Sequence, residues 1–466
     1  MAARHTAQGY WLEEAGGAGR LAPLGGEVDA DVVVVGAGLT GLWAAWWITE
    51  EAPDLRIVVL EADTCASGPS GRNGGFVNSM WFDLPAMSAR FGVAGAIEVA
   101  RAAREAVHGI GRWCEEQAVD AWYRLGGYLQ VSTTPFHDHA WDQFARAAVE
   151  HGEPEACIAL DPDQVRARCD SPLFRAGAFY ADAATVQPAR LARGLRDRLV
   201  DRGVAVHEGS RVRRLHTSGV AVSAETDAGR VRARCAVLAL GAASAAAAPL
   251  CRRLTITSSH MVITERVPDV LEEVGWTGGE CITDSLAMIH YFRTTPDGRI
   301  AFGWGGGPVA PGVRVRGRAE IDPDVVAEVE RRLLRFFPQL AGRSVDHAWG
   351  GPIDVSPTHL PVVGTIAGAD VHYAFGYTGN GVGPSHFVGR ILSSLALERR
   401  DRWTALPIVE PELVRVPPEP LRYLGGAIVR RAVVRKERLE GEGRRGDPLT
   451  RALAGLPERL GIRIGR

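Results

Sequence analysis

Asp31-Val32-Val33-Val34-Val35-Gly36-Ala37-Gly38-Leu39-Thr40-Gly41 opens a stretch that closes at Ile57-Val58-Val59-Leu60-Glu61. An apolar run leads into a glycine turn, a helical pattern follows, and a second apolar run ends in an acid. Each residue type has a physical task. Gly36 permits the tight turn, Gly38 lets a pyrophosphate approach the backbone at a helix N-terminus, and Gly41 lets helix and strand pack closely. Glu61 can accept hydrogen bonds from the hydroxyls of an adenosine ribose. Glycine-rich turns alone are common, but this one follows a strand, opens a helix and is answered by an acid at the right distance. It reads as a dinucleotide-binding βαβ unit.

The cluster Ser67-Gly68-Pro69-Ser70-Gly71-Arg72-Asn73-Gly74-Gly75-Phe76 comes next. It resembles the loop that many flavin oxidoreductases place under the FAD pyrophosphate and isoalloxazine, where backbone N–H groups cradle anionic oxygens. FAD is therefore favoured over NAD. From Trp11 through the Gly425 region, the order of motifs resembles the glycine oxidase and D-amino-acid oxidase (DAO) superfamily of FAD-dependent oxidoreductases. The Ser-Gly-Arg-Asn-Gly-Gly segment is similar to that of its γ-glutamylputrescine oxidoreductase-like branch.

The resemblance implies an α/β fold: a Rossmann-like FAD-binding domain of the glutathione-reductase type, discontinuous in sequence, with an α+β antiparallel-sheet substrate domain. The expected organisation is an N-terminal arm at 1–29, an FAD-binding domain from 30–90, 185–245 and 355–400, and a substrate domain from 91–184 and 246–354. A basic tail, 401–466, is expected to dock on the body.

The chain has 466 residues and a formal net charge of −2, so nothing global points to nucleic acid. Its seven cysteines are scattered, without a Cys-x-x-Cys pair. That argues against a disulfide framework and a metal site, and suits a reducing compartment. Some superfamily members hold flavin covalently through a cysteine near the C-terminal part of the chain. None follows Cys281 here, so the expected FAD is non-covalent. Met1 to Gly26 lacks a basic region leading into a long apolar segment, and Glu13 and Glu14 would spoil one, so no signal peptide is expected. The apolar stretches Val32–Ile48 and Ala236–Leu250 are short for a bilayer and read better as strand, turn and helix. A cytoplasmic protein with no transmembrane segment is expected, and its oligomeric state is left open.

Further pieces follow along the chain. Tyr10, Trp11 and Leu12 can pin the polar N-terminal arm to the body. A helix over Ala189–Val200 precedes a short strand, Gly203–His207, and then Arg211-Val212, where backbone groups can meet an adenine. Ala236–Ala242 reads as a strand ending at Gly241, similar to the family's strand that returns to the cofactor. Met261–Thr264, Ala287–Phe292 and Arg299–Phe302 read as antiparallel strands, and Asp322–Phe337 as an amphipathic helix. Gly376-Tyr377-Thr378-Gly379-Asn380-Gly381-Val382-Gly383 precedes a helix from Ser385 to Leu397. In the family such a turn aims a helix N-terminus at the pyrimidine end of the flavin. Pro417-Pro418-Glu419-Pro420 marks a linker, and Ile428–Arg438 can form a basic amphipathic helix that docks on the body or meets a membrane surface or a partner.

Spacing and likeness together give a cofactor-binding set: Gly36, Gly38, Leu39, Thr40, Gly41, Glu61, Ala62, Arg72, Asn73, Gly74, Gly75, Val212, Gly241, Gly376, Gly379, Asn380, Gly381, Val382 and Gly383. Tyr291, Arg293 and Asn380 are the catalytic candidates. Strand alternation puts Tyr291 and Arg293 on one face, where Arg293 either grips a substrate carboxylate or sits solvated near a turn. Trp304 and Trp349 can wall an amine pocket by cation–π contact or pack in the core. His260 and His359 can tune proton balance or serve as structural hydrogen-bonders.

The expected reaction is oxidation of a primary or secondary amine or amino acid by hydride transfer to flavin N5, with the imine hydrolysed and O2 reduced to H2O2. Sarcosine-oxidase-like relatives use a lysine to help oxygen react, but the single lysine here, Lys436, lies in the tail. A dehydrogenase using another acceptor or an alcohol donor therefore stays open, as does a flavin-binding accessory subunit.

Overall fold

The computed structural model of the protein describes residues 4–5, 8–17, 19–218, 221–312, 316–409 and 414–464. Parts of the expected arm (1–3, 6–7 and 18) and tail (410–413 and 465–466) lie outside them.

A six-stranded sheet carries the βαβ unit, in the order Ala205–His207, Ile57–Leu60, Val32–Val35, Cys235–Leu238, Val371–Phe375 and Val362–Thr365. The first five strands are parallel and the last is antiparallel. Both faces are covered, which is why Val32–Val35 and Ile57–Leu60 are continuous apolar runs. Val32 and Val34 pack into a cluster with the helices Leu39–Glu51 and Val382–Ala396. Val33 and Val35 point the other way, against Val222, Ala224 and Val231 of a four-stranded sheet. That sheet is built from Arg214–Ser218, Ala221–Glu225, Gly229–Ala233 and Gly26–Asp29.

A nine-stranded, mostly antiparallel sheet stands beside it, with Thr255–Thr264, Ile300–Trp304 and His290–Thr294 near its centre. One face packs on the helix Pro323–Phe336 through Val325, Val329 and Leu333. Asp322 caps that helix by accepting the Asp324 N–H at 3.2 Å.

Three elements depart from the sequence reading. The strand expected from Ala287 starts only at His290, because the Ala287 and Met288 N–H groups donate to the Glu437 carboxylate at 2.6 and 3.0 Å instead of to a neighbouring strand. Val345–Val355, for which no strand was expected, forms an eleven-residue strand that runs through Gly350 and Gly351. A side chain at Gly350 would press on His260, so the glycine serves close packing. Leu84–Glu116, with a non-helical break at Gly92, was not anticipated as a helix.

The N-terminal arm is held firmly. Trp11 is fully buried on the short helix Tyr10–Glu14 and meets Trp349 edge-on, with ring centroids 5.9 Å apart. Its carbonyl accepts the Gln187 Nε2–H at 2.7 Å. The Trp11→Ala variant loses a large packed ring and is expected to be destabilised by about 3–5 kcal/mol, measured as a fall in the guanidinium unfolding midpoint.

Candidate active site

One cavity of about 1280 Å³ runs between the two large sheets, more than the roughly 300–1,000 Å³ of an ordinary small-molecule pocket. The glycine turn forms one end. Gly36 sits at φ +107°, and a side chain there would strike the Ala239 carbonyl. A side chain at Gly41 would strike the Gly36 carbonyl, and one at Gly38 would come within 2.8 Å of Ser70 Oγ. Gly38 caps the helix Leu39–Glu51, whose Leu39 N–H is accepted by Ser70 Oγ at 3.0 Å. This helix N-terminus therefore carries its positive end into the cavity wall.

Glu61 also lines the cavity. Its carboxylate accepts the Ala37 N–H at 2.8 Å and the Asp63 N–H at 3.0 Å, and burial raises its pKa. Ala62 and Val212 line the same end, with Gly241 further along.

The Arg72–Gly75 loop forms the middle of the wall. Asn73 braces it from within: its Nδ2 donates to the Pro69 and Ser70 carbonyls, and its Oδ1 accepts the Gly75 N–H at 2.7 Å. Arg72 Nε donates to the Ser67 carbonyl at 2.8 Å, while Nη1 is buried without a hydrogen-bond partner and lies 3.8 Å from Glu320. Burial lowers the Arg72 pKa. Gly74 lies against the Tyr291 ring.

At the far end, Gly379, Asn380, Gly381 and Val382 line the cavity at the start of the helix Val382–Ala396. Thr40 Oγ1 donates to the Tyr377 hydroxyl oxygen at 2.8 Å, tying this turn to the first one. Asn380 Oδ1 is 3.4 Å from Asn78 Nδ2.

Tyr291 lies on the wall opposite. Ser259 Oγ donates its only proton to the Trp304 carbonyl at 2.9 Å, so the 2.6 Å bond between Ser259 and Tyr291 must be donated by the phenol. The Tyr291 oxygen then has lone pairs to offer a substrate N–H. Burial raises the Tyr291 pKa well above its ordinary value, so the phenol stays neutral.

Arg293 is the main correction to the site expected from sequence. Alternation does put it on the side of Tyr291, but it stops behind the loop, against Gly75. Its guanidinium donates to the Val186 and Thr294 carbonyls and lies 5.5 Å from the Trp11 ring. Only 1% exposed, it supports the wall instead of facing the cavity. Gly41, Gly75, Gly376 and Gly383 likewise stand behind the surface, where side chains would collide with Gly36, Val186, Ser356 and Asn78.

Trp304 and Trp349 are also in the core. Arg332 lies 4.1 Å over the Trp304 ring, and Trp349 Nε1 donates to the Arg72 carbonyl at 2.8 Å. His260 is fully buried and accepts the Asp322 N–H at 2.9 Å, with burial pulling its pKa down to about 4. His359 lines the cavity.

Sequence reasoning passed over Ser259 and Asp354, and it docked the tail on the body without bringing it to the cavity, which Val429 and Arg430 line. Asp354 lies on the wall, where its carboxylate accepts the Gly376 N–H at 2.6 Å. Burial pushes its pKa up to about 6.

An elongated cavity with a glycine cradle, a helix N-terminus and a buried guanidinium edge fits FAD. Residues 31–395 match the DAO family, described as FAD dependent oxidoreductase. The chain is similar to the γ-glutamylputrescine oxidoreductase of Escherichia coli (strain K12), 29% identical over 420 residues that cover 86% of this chain and 92% of that protein. It is also similar to the probable oxidoreductase OrdL of Rhizobium meliloti (strain 1021), 26% identical over 393 residues, with 80% and 84% covered. Among solved structures, glycine oxidase from Geobacillus kaustophilus superposes with a TM-score of 0.69 at 17% identity, covering 84% of this chain and 100% of that one.

Two outcomes follow from the geometry. Gly41→Ala overpacks the turn at a cost of about 1–3 kcal/mol, so FAD affinity is expected to fall about 10- to 100-fold, read from flavin absorbance per chain. For Asp354, the folded protein keeps a proton that the unfolded chain releases, so stability falls as pH rises from about 4 to about 6. Asp354→Asn is expected to remove that fall, up to roughly 3 kcal/mol, measured as denaturation midpoints of both proteins across the interval.

Proposed function

The chain belongs to the DAO family of FAD-dependent oxidoreductases, and from that premise we propose that it oxidises a primary or secondary amine or an amino acid, with oxygen as the electron acceptor. The observation that carries this reading is one continuous cavity joining the glycine turn to the Tyr291 wall. It gives room for a dinucleotide and a small substrate together.

In this reading Gly36, Gly38, Leu39, Thr40 and Glu61 hold the ADP half, with Ala62 and Val212 toward the adenosine. Arg72, Asn73, Gly74 and the turn from Gly379 to Val382 surround the flavin, and Gly41, Gly75, Gly376 and Gly383 let the backbone come close behind them. FAD is held without a covalent bond and supplies the acceptor for the substrate's hydride. The chain supplies position and a dry site. Tyr291 accepts an N–H of the neutral amine, which leaves the nitrogen lone pair to form the imine as the C–H bond breaks. Water then hydrolyses the imine to an aldehyde or keto acid, with release of ammonia or a smaller amine. Arg72, with its buried Nη1 edge, provides the positive charge that favours oxygen reduction to H2O2. The free cysteines, six of seven buried, suit a reducing compartment, and we assign the enzyme to the cytoplasm.

A second reading keeps the amine donor and passes electrons to another carrier. It draws on the position of Lys436, which lies on the helix Leu421–Gly441 and pairs with Glu440 at 3.2 Å. No helix among the described residues is long and apolar enough to cross a membrane, so such a carrier would be met at the protein surface.

The test is anaerobic addition of polyamines, γ-glutamylated diamines, amino acids and N-methyl amines to the purified holoenzyme. One class is expected to bleach the visible flavin band, and admitted air should restore it with formation of H2O2. Bleaching that air does not reverse would favour the second reading. A flavin band that no amine bleaches would overturn amine oxidation and favour an alcohol donor or an accessory subunit.

A further inference from the structure

The outer wall of the cavity comes from the C-terminal segment, beyond the region that matches the family (31–395). The helix Leu421–Gly441 crosses it, presenting Gly425, Gly426, Val429 and Arg430. These positions are spaced i, i+1, i+4 and i+5 and share one helix face. A side chain at the exposed Gly425 would meet nothing within 4 Å, whereas one at Gly426 would touch Val309 at 3.3 Å, so the open space on this face lies at Gly425.

The helix is tied down along its length. Arg422 donates to the Cys251 and Leu254 carbonyls at 3.1 Å each. Glu437 accepts the Ala287 and Met288 N–H groups, and the Glu440 carbonyl accepts from Thr134 Oγ1 at 3.0 Å.

Arg430 stands out on this wall by its partners. Its Nε donates to the Gly306 and Gly307 carbonyls at 2.8 Å each, and Nη2 donates to Gly306. A guanidinium has five N–H groups, and among the described residues the Nη1 edge has no hydrogen-bond partner. Among the described residues no carboxylate pairs with it. Asp322 acts on it only at longer range and is engaged by the Asp324 N–H and Arg318. The neighbouring wall arginines are differently placed: Arg463 pairs with Asp83 at 2.8 Å, Arg422 with Glu419 at 2.8 Å, and Arg316 is exposed to water. Arg430 is thus a half-buried cation, held by two carbonyls, with a free donor edge on the cavity. Such an edge is matched by a carboxylate.

Its place sets it apart from the reacting group. Tyr291 is linked through Ser259 to the Trp304 carbonyl, whereas Arg430 is held at Gly306 and Gly307, beyond the bend at Gly305. An amine held at Tyr291 and an anion at Arg430 therefore meet different stretches of the wall.

We propose that Arg430 binds a carboxylate at the far end of the substrate, so that the enzyme prefers amines carrying a distal carboxylate. The proposal rests on amine oxidation as the function and assigns the C-terminal helix a role in substrate choice.

The test compares ε-aminocaproate and γ-aminobutyrate with their uncharged amides on the holoenzyme, and measures hexanoate binding to the oxidised holoenzyme by calorimetry. The wild type is expected to favour a carboxylate over its amide by about 10- to 100-fold in kcat/KM, expressed mainly in KM. Arg430→Gln should bring that ratio toward one and weaken hexanoate binding by a similar factor, while Arg430→Lys restores part of both. Flavin content and melting temperature report whether each variant is folded, and the wild-type comparison stands without any variant. A wild-type ratio near one, or a preference that survives in Arg430→Gln, would overturn the proposal while leaving amine oxidation in place. If these compounds leave the flavin unbleached while another amine of the wider panel bleaches it, the proposal fails alone; if no amine of that panel bleaches it, amine oxidation fails and this proposal with it.

Discussion

Everything in this molecule depends on how closely three backbone segments approach at the start of the helix Leu39–Glu51. The turn at Gly36, the Ala239 carbonyl on the neighbouring crossover and the Ser70 loop leave no volume for a β-carbon at Gly36, Gly38 or Gly41. The parallel order of the strands Val32–Val35 and Cys235–Leu238 creates the approach. Close packing tolerates no extra methyl group without strain, so the glycines are a steric requirement of the fold, besides the cofactor-binding part proposed for them. The same approach aims the helix N-terminus into the cavity, which couples architecture to cofactor choice.

The second large sheet completes the site by a chain of contacts that starts far away. Trp11 fills the space beside Trp349, Trp349 holds the Arg72 carbonyl, and Arg72 presents its guanidinium at the cavity. Arg293 lies under the same loop, braced by Val186 and Trp11. The N-terminal helix and the central strands thus set the position of the loop from behind, and residues remote from the cavity become part of its geometry.

How much of this could be read from sequence follows from how local each signal is. The Val32–Val35 and Ile57–Leu60 strands and the glycine turn were legible because their periodicity and turn chemistry lie within neighbouring residues. Tyr291 and Asn380 were reachable through alternation and family likeness, and both line the cavity. Alternation also put Arg293 on the correct side, yet it carries no information on how deep the side chain runs before it meets Val186. Ser259 gave no signal, since its part depends on a strand pairing that brings it to Trp304 and Tyr291. The same holds for Arg430, whose meeting with Gly306 joins residues 124 positions apart.

The near absence of lysine acquires a physical meaning in this setting. Desolvation disfavours the charged form of any cation, and a buried lysine readily loses its proton. Arginine starts from so high a pKa that even the fully buried Arg293, brought down to about 10, remains protonated at neutral pH. Arg72 is lowered by the same cause, and Arg430 also moves in that direction. A site walled by arginine therefore keeps its positive potential where a lysine would surrender it, and keeps it across the interval in which Asp354 titrates. Three guanidiniums at or behind one cavity favour anionic groups by a charge that burial and pH do not remove. Their planar donors add direction to that charge, so the arginines select how an anion is oriented as well as whether it is held.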